Sequence, residues 1–449
     1  MTELEKRGVP TVGIVAQPFR KDAVRTAETF GLPELQFSIV PEAFTSQPRE
    51  RIRDMVDAAF DDIVRRLRED ATAGEKVESE IVTLPDEWLS FGGDDAFEAM
   101  RLMNETFLEY QWSDGLPLLP PTRAAMAAML SGAERDPDDV VAVLEPGFGL
   151  ATVRKIAANA VMAGCSPAHL PVVIAAVEAL ADPHMDVRDK AMSTGMAAPL
   201  VVVNGPIRTR IGMNAGICSL GPGSPSHVNT VIGRAVRLCM MNVGRTYPGI
   251  SDMDTIGSPM KYSMVVAENE EESPWDSYAA EKGFDAGTST VTIQFCYGHS
   301  DLHDMWNTDP NKVIQVYATA PKYMGVVSSG LWLVGRRSDP RHGTEEKEGA
   351  FLLLSPQRAN AFARNGWDKK RIRDALYREA RASFRTLMFS RDPKMFAHPE
   401  LSWLWDSPDT MLPILEDGSC FGIAVTGRGL SRDAYFWGMG GAVTKPIGK

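Results

Sequence analysis

Short apolar runs at Thr11–Ala16 (TVGIVA) and Leu35–Val40 alternate with helical patterns at Lys21–Phe30 and Arg49–Arg68, the latter amphipathic. A βαβα order of this kind implies parallel strands joined by right-handed crossovers. Asp95–Tyr110 reads as another helix and leads into WSDGLPLLPP, where Pro117, Pro120 and Pro121 exclude a helix interior or a central strand. That segment must lie over a surface or line a cleft. Val153, Ile156, Ala157, Ala160 and Val161 then mark a helix over Thr152–Ala163 that stops at Gly164, and Ser166 with Pro167 opens the next helix, making a helical hairpin. Leu200–Pro206 (LVVVNGP) is strand-like and is followed by the glycine-rich stretch Met213–Ser226. The helix predicted over His227–Arg245 follows, with Val228, Val231, Ile232, Ala235, Val236, Cys239 and Val243 on one face and Arg234 and Arg237 opposite. Further strands are expected at Tyr262–Ala267, Phe351–Pro356 and Phe421–Gly427, with a basic amphipathic helix over Asp368–Thr386.

The pattern predicts an α/β protein. A small parallel βαβα domain occupies residues 1–70, a small, polar and charged linker 71–94, and a larger mixed α/β domain carrying the site 95–449. With 449 residues and 44% apolar content there is ample material for a packed core. The net charge of −12 contains no basic block, which argues against nucleic acid or an anionic membrane as the main partner. No run of about 18 apolar residues occurs and the start, MTELEKRGVP, is charged, so neither a membrane span nor a signal peptide is expected. Five cysteines, widely spaced and without a CxxC pair, fit reduced thiols in a cytoplasmic protein better than a disulfide framework or a zinc site.

Candidate chemistry concentrates in Met213–Ser226. Gly216, Gly221 and Gly223 allow the backbone to turn its amides toward one point, Ser224 or Ser226 caps the helix, and a strand, loop and helix start together make an anion site. The loop matches neither the phosphate-loop nor the GxGxxG pattern, so a carboxylate or small anion is expected rather than a nucleotide. A tight connection with no ligand is the alternative. Asn214, Gly216, Gly221, Gly223, Ser226 and Asn229 are the expected substrate-binding residues, joined by Trp112 and Asp114 from the proline-rich segment. Cys218 is the candidate nucleophile and His227, opening the helix, the nearest histidine. Cys165, near a helix N-terminus, is either an activated thiol or a buried filler. At the end of the Tyr262–Ala267 strand, Glu268 or Glu271 is expected as a general base, with an acidic first helical turn as the alternative reading. His299 and His303 would share a helical face at i, i+4 and could chelate a metal, but no third ligand is evident and no metal is predicted. Arg428 and Arg432, beside glycines, could clamp an anion or remain solvated loop charges. No particular cofactor is indicated.

The stretch ELEKRGVPTVGIVAQPFRKDAVRTAETFGLPELQFSIVPEAF resembles the UGSC family, bacterial (seleno)proteins named for a selenocysteine- or cysteine-Gly-Ser-Cys motif; the resemblance covers roughly the first 70 residues. In that family the motif precedes the segment matching ELEKRGVPTV, so the resemblance implies either that the function differs or that a separate small subunit supplies the thiol or selenol. Asp417-Gly418-Ser419-Cys420 is not that motif, since it leads into an apolar strand near the end of the chain. The remainder, from about Asp95, resembles a domain associated with the same group, through WSDGLPLLPPT, ATVRKIAANAVMAGCSPAHLPVVIAAVEA, the glycine-rich loop and MKYSMVVAENEEESPW. Two readings follow. One is an enzyme, or large enzyme subunit, acting on a small carboxylate-bearing metabolite, with thiol- or selenol-linked carbon–heteroatom or redox chemistry implied by the resemblance. The other is a non-catalytic scaffold that binds a small partner carrying the Cys/Sec-Gly-Ser-Cys motif. Either implies a homo- or hetero-oligomer.

Overall fold

The computed structural model describes residues 2–5, 7–29, 32–44, 47–68, 88–324, 338–339, 344–345, 349–387 and 399–448, so most of the expected linker lies outside the described residues. The chain divides into two units, Met1–Trp112 with Arg245–Asp252, and Ser113–Gly244 with Met253–Lys449.

In the first unit β1 (Gly13–Ala16) and β2 (Phe37–Val40) pair in parallel, from Gly13 opposite Phe37 to Ala16 opposite Val40, with the helix Arg20–Thr29 as crossover. This is the predicted βαβ order. The helix Arg49–Arg68 buries Met55 and Ala59, one turn apart, while its charges stay outside. Asp95 caps the helix Ala96–Glu109 by accepting from the amides of Phe97 and Glu98.

The second unit opens with the hairpin β3 (Val140–Leu144) and β4 (Gly149–Thr152). The helix Val153–Ala163 ends on Gly164, whose φ of 93° needs no Cβ, as the sequence predicts. One 3₁₀ turn, Pro167–His169, leads into the helix Leu170–Leu180. That helix is apolar nearly all round, because it packs against the strands Thr290–His303 and Val443–Pro446 as well as against two neighbouring helices.

The main sheet contains β5 (Ala198–Asn204), β6 (Val265–Ala267), β7 (Thr290–His303), β10 (Ala350–Leu354), β13 (Phe421–Val425), β14 (Arg432–Gly438) and β15 (Val443–Pro446). Two short pairs lie apart from it, β8 (Ser338–Asp339) with β9 (Thr344–Glu345) and β11 (Arg381–Ser383) with β12 (Met411–Pro413). The order is β13-β10-β14-β7-β5-β6, with β15 beside β14 along the same edge of β7. Only β5–β6 and β10–β13 are parallel. β10 is apolar at every position because it is buried on both faces. Ala350, Leu352 and Leu354 join one core with Tyr317, Phe362 and Ile372, whereas Phe351 and Leu353 join another with Leu200, Val202 and Phe436.

Three expectations are corrected. His299 and His303 lie on β7 rather than a helix, paired opposite Phe436 and Arg432 of β14, so the i, i+4 chelating geometry does not arise. The helix expected over Asp368–Thr386 spans Lys369–Glu379 and gives way to β11. Arg237, expected on the face opposite the apolar one, is itself buried.

The sheet curls until its two edge strands meet. Asn269 N donates to Val425 O at 2.7 Å, and Thr426 Oγ1 donates to Ala267 O at 2.9 Å. Thr426 N in turn donates to Leu354 O at 2.8 Å, so the carboxyl ends of β6, β10 and β13 come together.

Candidate functional site

The glycine-rich loop is built around two asparagines. Asn229, fully buried on the helix His227–Asn242, accepts from Asn214 N at 3.0 Å through Oδ1 and donates through Nδ2 to Asn214 O at 2.8 Å and Ser219 O at 2.9 Å. Asn214 accepts from Gly216 N at 2.8 Å and donates to Ile217 O and Ser226 Oγ, both at 2.8 Å. Ser226 Oγ donates to Cys218 O at 2.5 Å, and Gly221 N donates to the same carbonyl at 2.7 Å. Asn214, Ser226 and Asn229, expected to meet substrate, therefore spend their polar groups on the loop itself. Ser226 makes no side-chain cap bond to the helix, contrary to expectation. The amides of Asn214, Gly216 and Gly221 are likewise taken, by Asn229 Oδ1, Asn214 Oδ1 and Cys218 O, which leaves fewer of them for an anion than glycine spacing alone suggests. Gly221 and Gly223 adopt φ values of 87° and 117°, which is why glycine stands there.

This bracing fixes Cys218 in the left-handed region, with φ of 58° and an exposed thiol. A non-glycine residue so placed costs roughly 1–2 kcal/mol and is held only by its surroundings. Ile217 beside it is also exposed. His227 occupies the first helical position, exposed; burial, and after it the proximity of His227, holds the imidazole of His169 below the ordinary histidine range.

Burial separates the remaining thiols from Cys218. Cys165 points its Sγ at Val231 O, 3.4 Å away, and burial pushes its pKa up to about 12. Of its two readings, the packed filler fits better: the residue is partly buried, with its thiol turned onto the Val231 carbonyl. Cys239 and Cys296 are fully buried and likewise pushed far up by desolvation.

Glu268 lies where the edges of the curled sheet meet, and it is fully buried rather than open to a ligand. Oε2 accepts from Asn204 Nδ2 at 2.5 Å and Tyr278 N at 2.8 Å, and Oε1 accepts from Val425 N at 3.3 Å with the buried Lys369 Nζ at 3.6 Å. Desolvation raises its pKa, opposed by Lys369 and these donors. Glu271 pairs with the buried Arg208 at 3.0 Å, and Glu270 also contacts that guanidinium, at 3.1 Å. Arg208 Nη1 also donates to Glu268 O at 2.6 Å, so the acidic run is folded around one buried cation.

Asp114 is held bidentately by Arg234, at 2.7 and 2.8 Å, and its side chain is only 3% exposed. It anchors the proline-rich segment, since the same guanidinium donates to Leu116 O and Pro117 O. Trp112 belongs to the first unit, where it packs edge-on against Phe107 and beside Tyr110. Arg432 pairs with Asp301 on the neighbouring strand. Arg428 lies in a segment tied to the cysteine loop, where Gly427 N donates to Ala215 O at 2.9 Å.

Among the described residues no group of three or more His, Cys, Asp or Glu is placed to hold a metal ion. A cavity of about 200 Å³ lies elsewhere in the second unit, lined by Val143, Glu145, Phe148 and the 180–187 segment, and none of the residues above borders it. Among the described residues no helix is long and apolar enough to cross a membrane.

The model of the UGSC family matches residues 2–69, the segment in which the sequence shows that resemblance. No curated protein matches the chain, and no solved structure does.

Proposed function

We propose that this chain is an enzyme, or the large subunit of one, that acts on a small carboxylate-bearing molecule at the Cys218 loop, with Cys218 as nucleophile. The observation that carries the reading is the thiol itself: exposed, in a left-handed backbone conformation, and held there by the bonds among Asn214, Ser226 and Asn229. Backbone strain that the surroundings enforce clusters at sites of function. The loop leads into a 16-residue helix, whose N-terminal partial charge favours an anion near its first turn.

In this reading the Cys218 thiolate attacks a carbon that bears a heteroatom leaving group. The S–C bond forms, the carbon–heteroatom bond breaks with its electron pair going to the leaving group, and the thiol proton passes to His227 or to solvent. Glu268 holds the folded scaffold rather than moving the proton, because its oxygens are committed to internal donors. A thiol- or selenol-bearing partner polypeptide, as the UGSC segment suggests, would meet Cys218 at this same exposed surface.

Iodoacetate and iodoacetamide test the reading, since both form an S–C bond and release iodide but only one carries a carboxylate. The expected result is a ratio of iodoacetate to iodoacetamide rates at Cys218 about tenfold higher in the native protein than in the urea-unfolded chain, about 1.4 kcal/mol of recognition. Equal ratios in the two states would remove the carboxylate from the proposal. The Cys218→Ser variant supplies the blank.

A further inference from the structure

We propose that the cavity between the β3–β4 turn and the end of the helix Leu170–Leu180 is a binding site for a small organic cation, a primary ammonium carrying one apolar ring; the inference is independent of Cys218. The cavity measures about 200 Å³ and lies wholly within the second unit. Its apolar lining comes from the buried Leu180 and Val187, with Phe148 and the exposed Val143. A dry apolar cavity of about 150 Å³ takes up benzene. This one therefore has room for a single ring and a short arm.

The charge around this apolar hollow has one sign. Glu145, Asp182 and Asp186 line it, and among the described residues no basic side chain does. The helix that ends at Leu180 adds the partial negative charge of its last carbonyls. Asp182 is already matched, by Lys445 Nζ at 2.5 Å and His184 Nδ1 at 2.9 Å. Asp186 is not: its side chain, partly buried, makes no capping bond to the helix Val187–Ala191 and no hydrogen bond or ion pair among the described residues. A carboxylate withdrawn from water without a partner carries a cost. A ligand ammonium removes that cost through a charge-assisted hydrogen bond, with Phe148 beside it for the cation or the ligand's ring. An anion would meet only repulsion there, and a neutral ligand would leave Asp186 unmatched.

Benzylammonium and its uncharged isostere benzyl alcohol test the site, each titrated into the whole protein and followed by broadening of the ligand's ring-proton signals in NMR. Benzylammonium should saturate and bind about tenfold tighter than the alcohol, the scale of one hydrogen bond to a charged group. Asp186→Asn keeps the shape and suits the left-handed backbone there, with φ of 43°. It should bring benzylammonium to the affinity of the alcohol and leave the alcohol unchanged. Val143→Trp, filling the cavity from its exposed side, should weaken both. Asp189→Asn, which removes the same charge from an exposed position outside the lining, should alter neither. Equal affinities in the unsubstituted protein, a preference that survives Asp186→Asn or is lost in Asp189→Asn, or binding indifferent to Val143→Trp overturns the assignment, as does benzylammonium that never saturates.

Discussion

Cys218 and Cys165 both sit in turns that lead toward helices, and their surroundings give them opposite chemistry. Cys165 is desolvated until its pKa is about 12, so at neutral pH it stays a thiol; Cys218 faces water. Intact-mass analysis of native protein exposed to iodoacetamide at pH 8 should find one modification, mapped to Cys218, with Cys165 labelled only as the pH approaches 12 or the chain unfolds. Equal labelling of Cys165 and Cys218 at pH 8 would contradict the burial. At this scale the sequence told residue type and neighbourhood but not which group takes which proton. Asn214 and Asn229 look like ligand-binding side chains because they are polar and flank a glycine-rich loop. Only the fold reveals that these residues, 15 apart in sequence, are bonded to each other, with the Asn229 side chain accepting from and donating to the Asn214 backbone. Glu268 misled for the same reason, since nothing local shows that Asn204, Tyr278 and Val425 will converge on it.

Helices were the most legible elements. Arg49–Arg68 has the predicted bounds, and Gly164 ends its helix as expected, because a 3.6-residue apolar stripe and a left-handed glycine are local signals. β7 was less legible. Its 14 residues are buried on both faces over the first half, which erases alternation, and the later His299, Asp301 and His303 imitate a polar helix start. β14 and β15 were not anticipated, since each pairs with a partner more than a hundred residues earlier. The helix His227–Asn242 illustrates how packing selects a residue that propensity disfavours: a Cβ on Gly233 would stand 2.3 Å from Ser263 Oγ and 2.7 Å from Val265 Cγ2. Gly233→Ala should destabilise the protein, because overpacking costs about 1–3 kcal/mol and the helix-propensity gain of about 1 kcal/mol offsets only part of it. Thermal unfolding measures the change, and an unaltered or raised midpoint would show that the helix does not approach β6 so closely.

At the scale of the whole chain, the α/β class and the parallel βαβ start were readable because they depend on the order of local elements. The curl of the main sheet was not, because it depends on stagger between strands far apart in sequence. Glu268 is where that curl has its largest electrostatic stake: a fully buried carboxylate facing the buried Lys369, at the junction of β6 with β13. Removing one member of such a pair leaves the other charged and desolvated. Glu268→Gln should therefore lower stability on the order of 3–5 kcal/mol, measured by urea unfolding, while alkylation of Cys218 under native conditions keeps its rate. Unchanged stability with altered Cys218 chemistry would return Glu268 to the role of a reacting group.

The central claim, that the loop of Cys218 is a formed site for a small carboxylate, is tested most directly by the dependence of its carboxymethylation rate on iodoacetate concentration. The rate should rise to a plateau and be slowed competitively by acetate, as for a reagent that binds before it reacts. A straight line through the whole concentration range, indifferent to acetate and with the slope of the unfolded chain, would mean that Cys218 is an exposed thiol with no site around it.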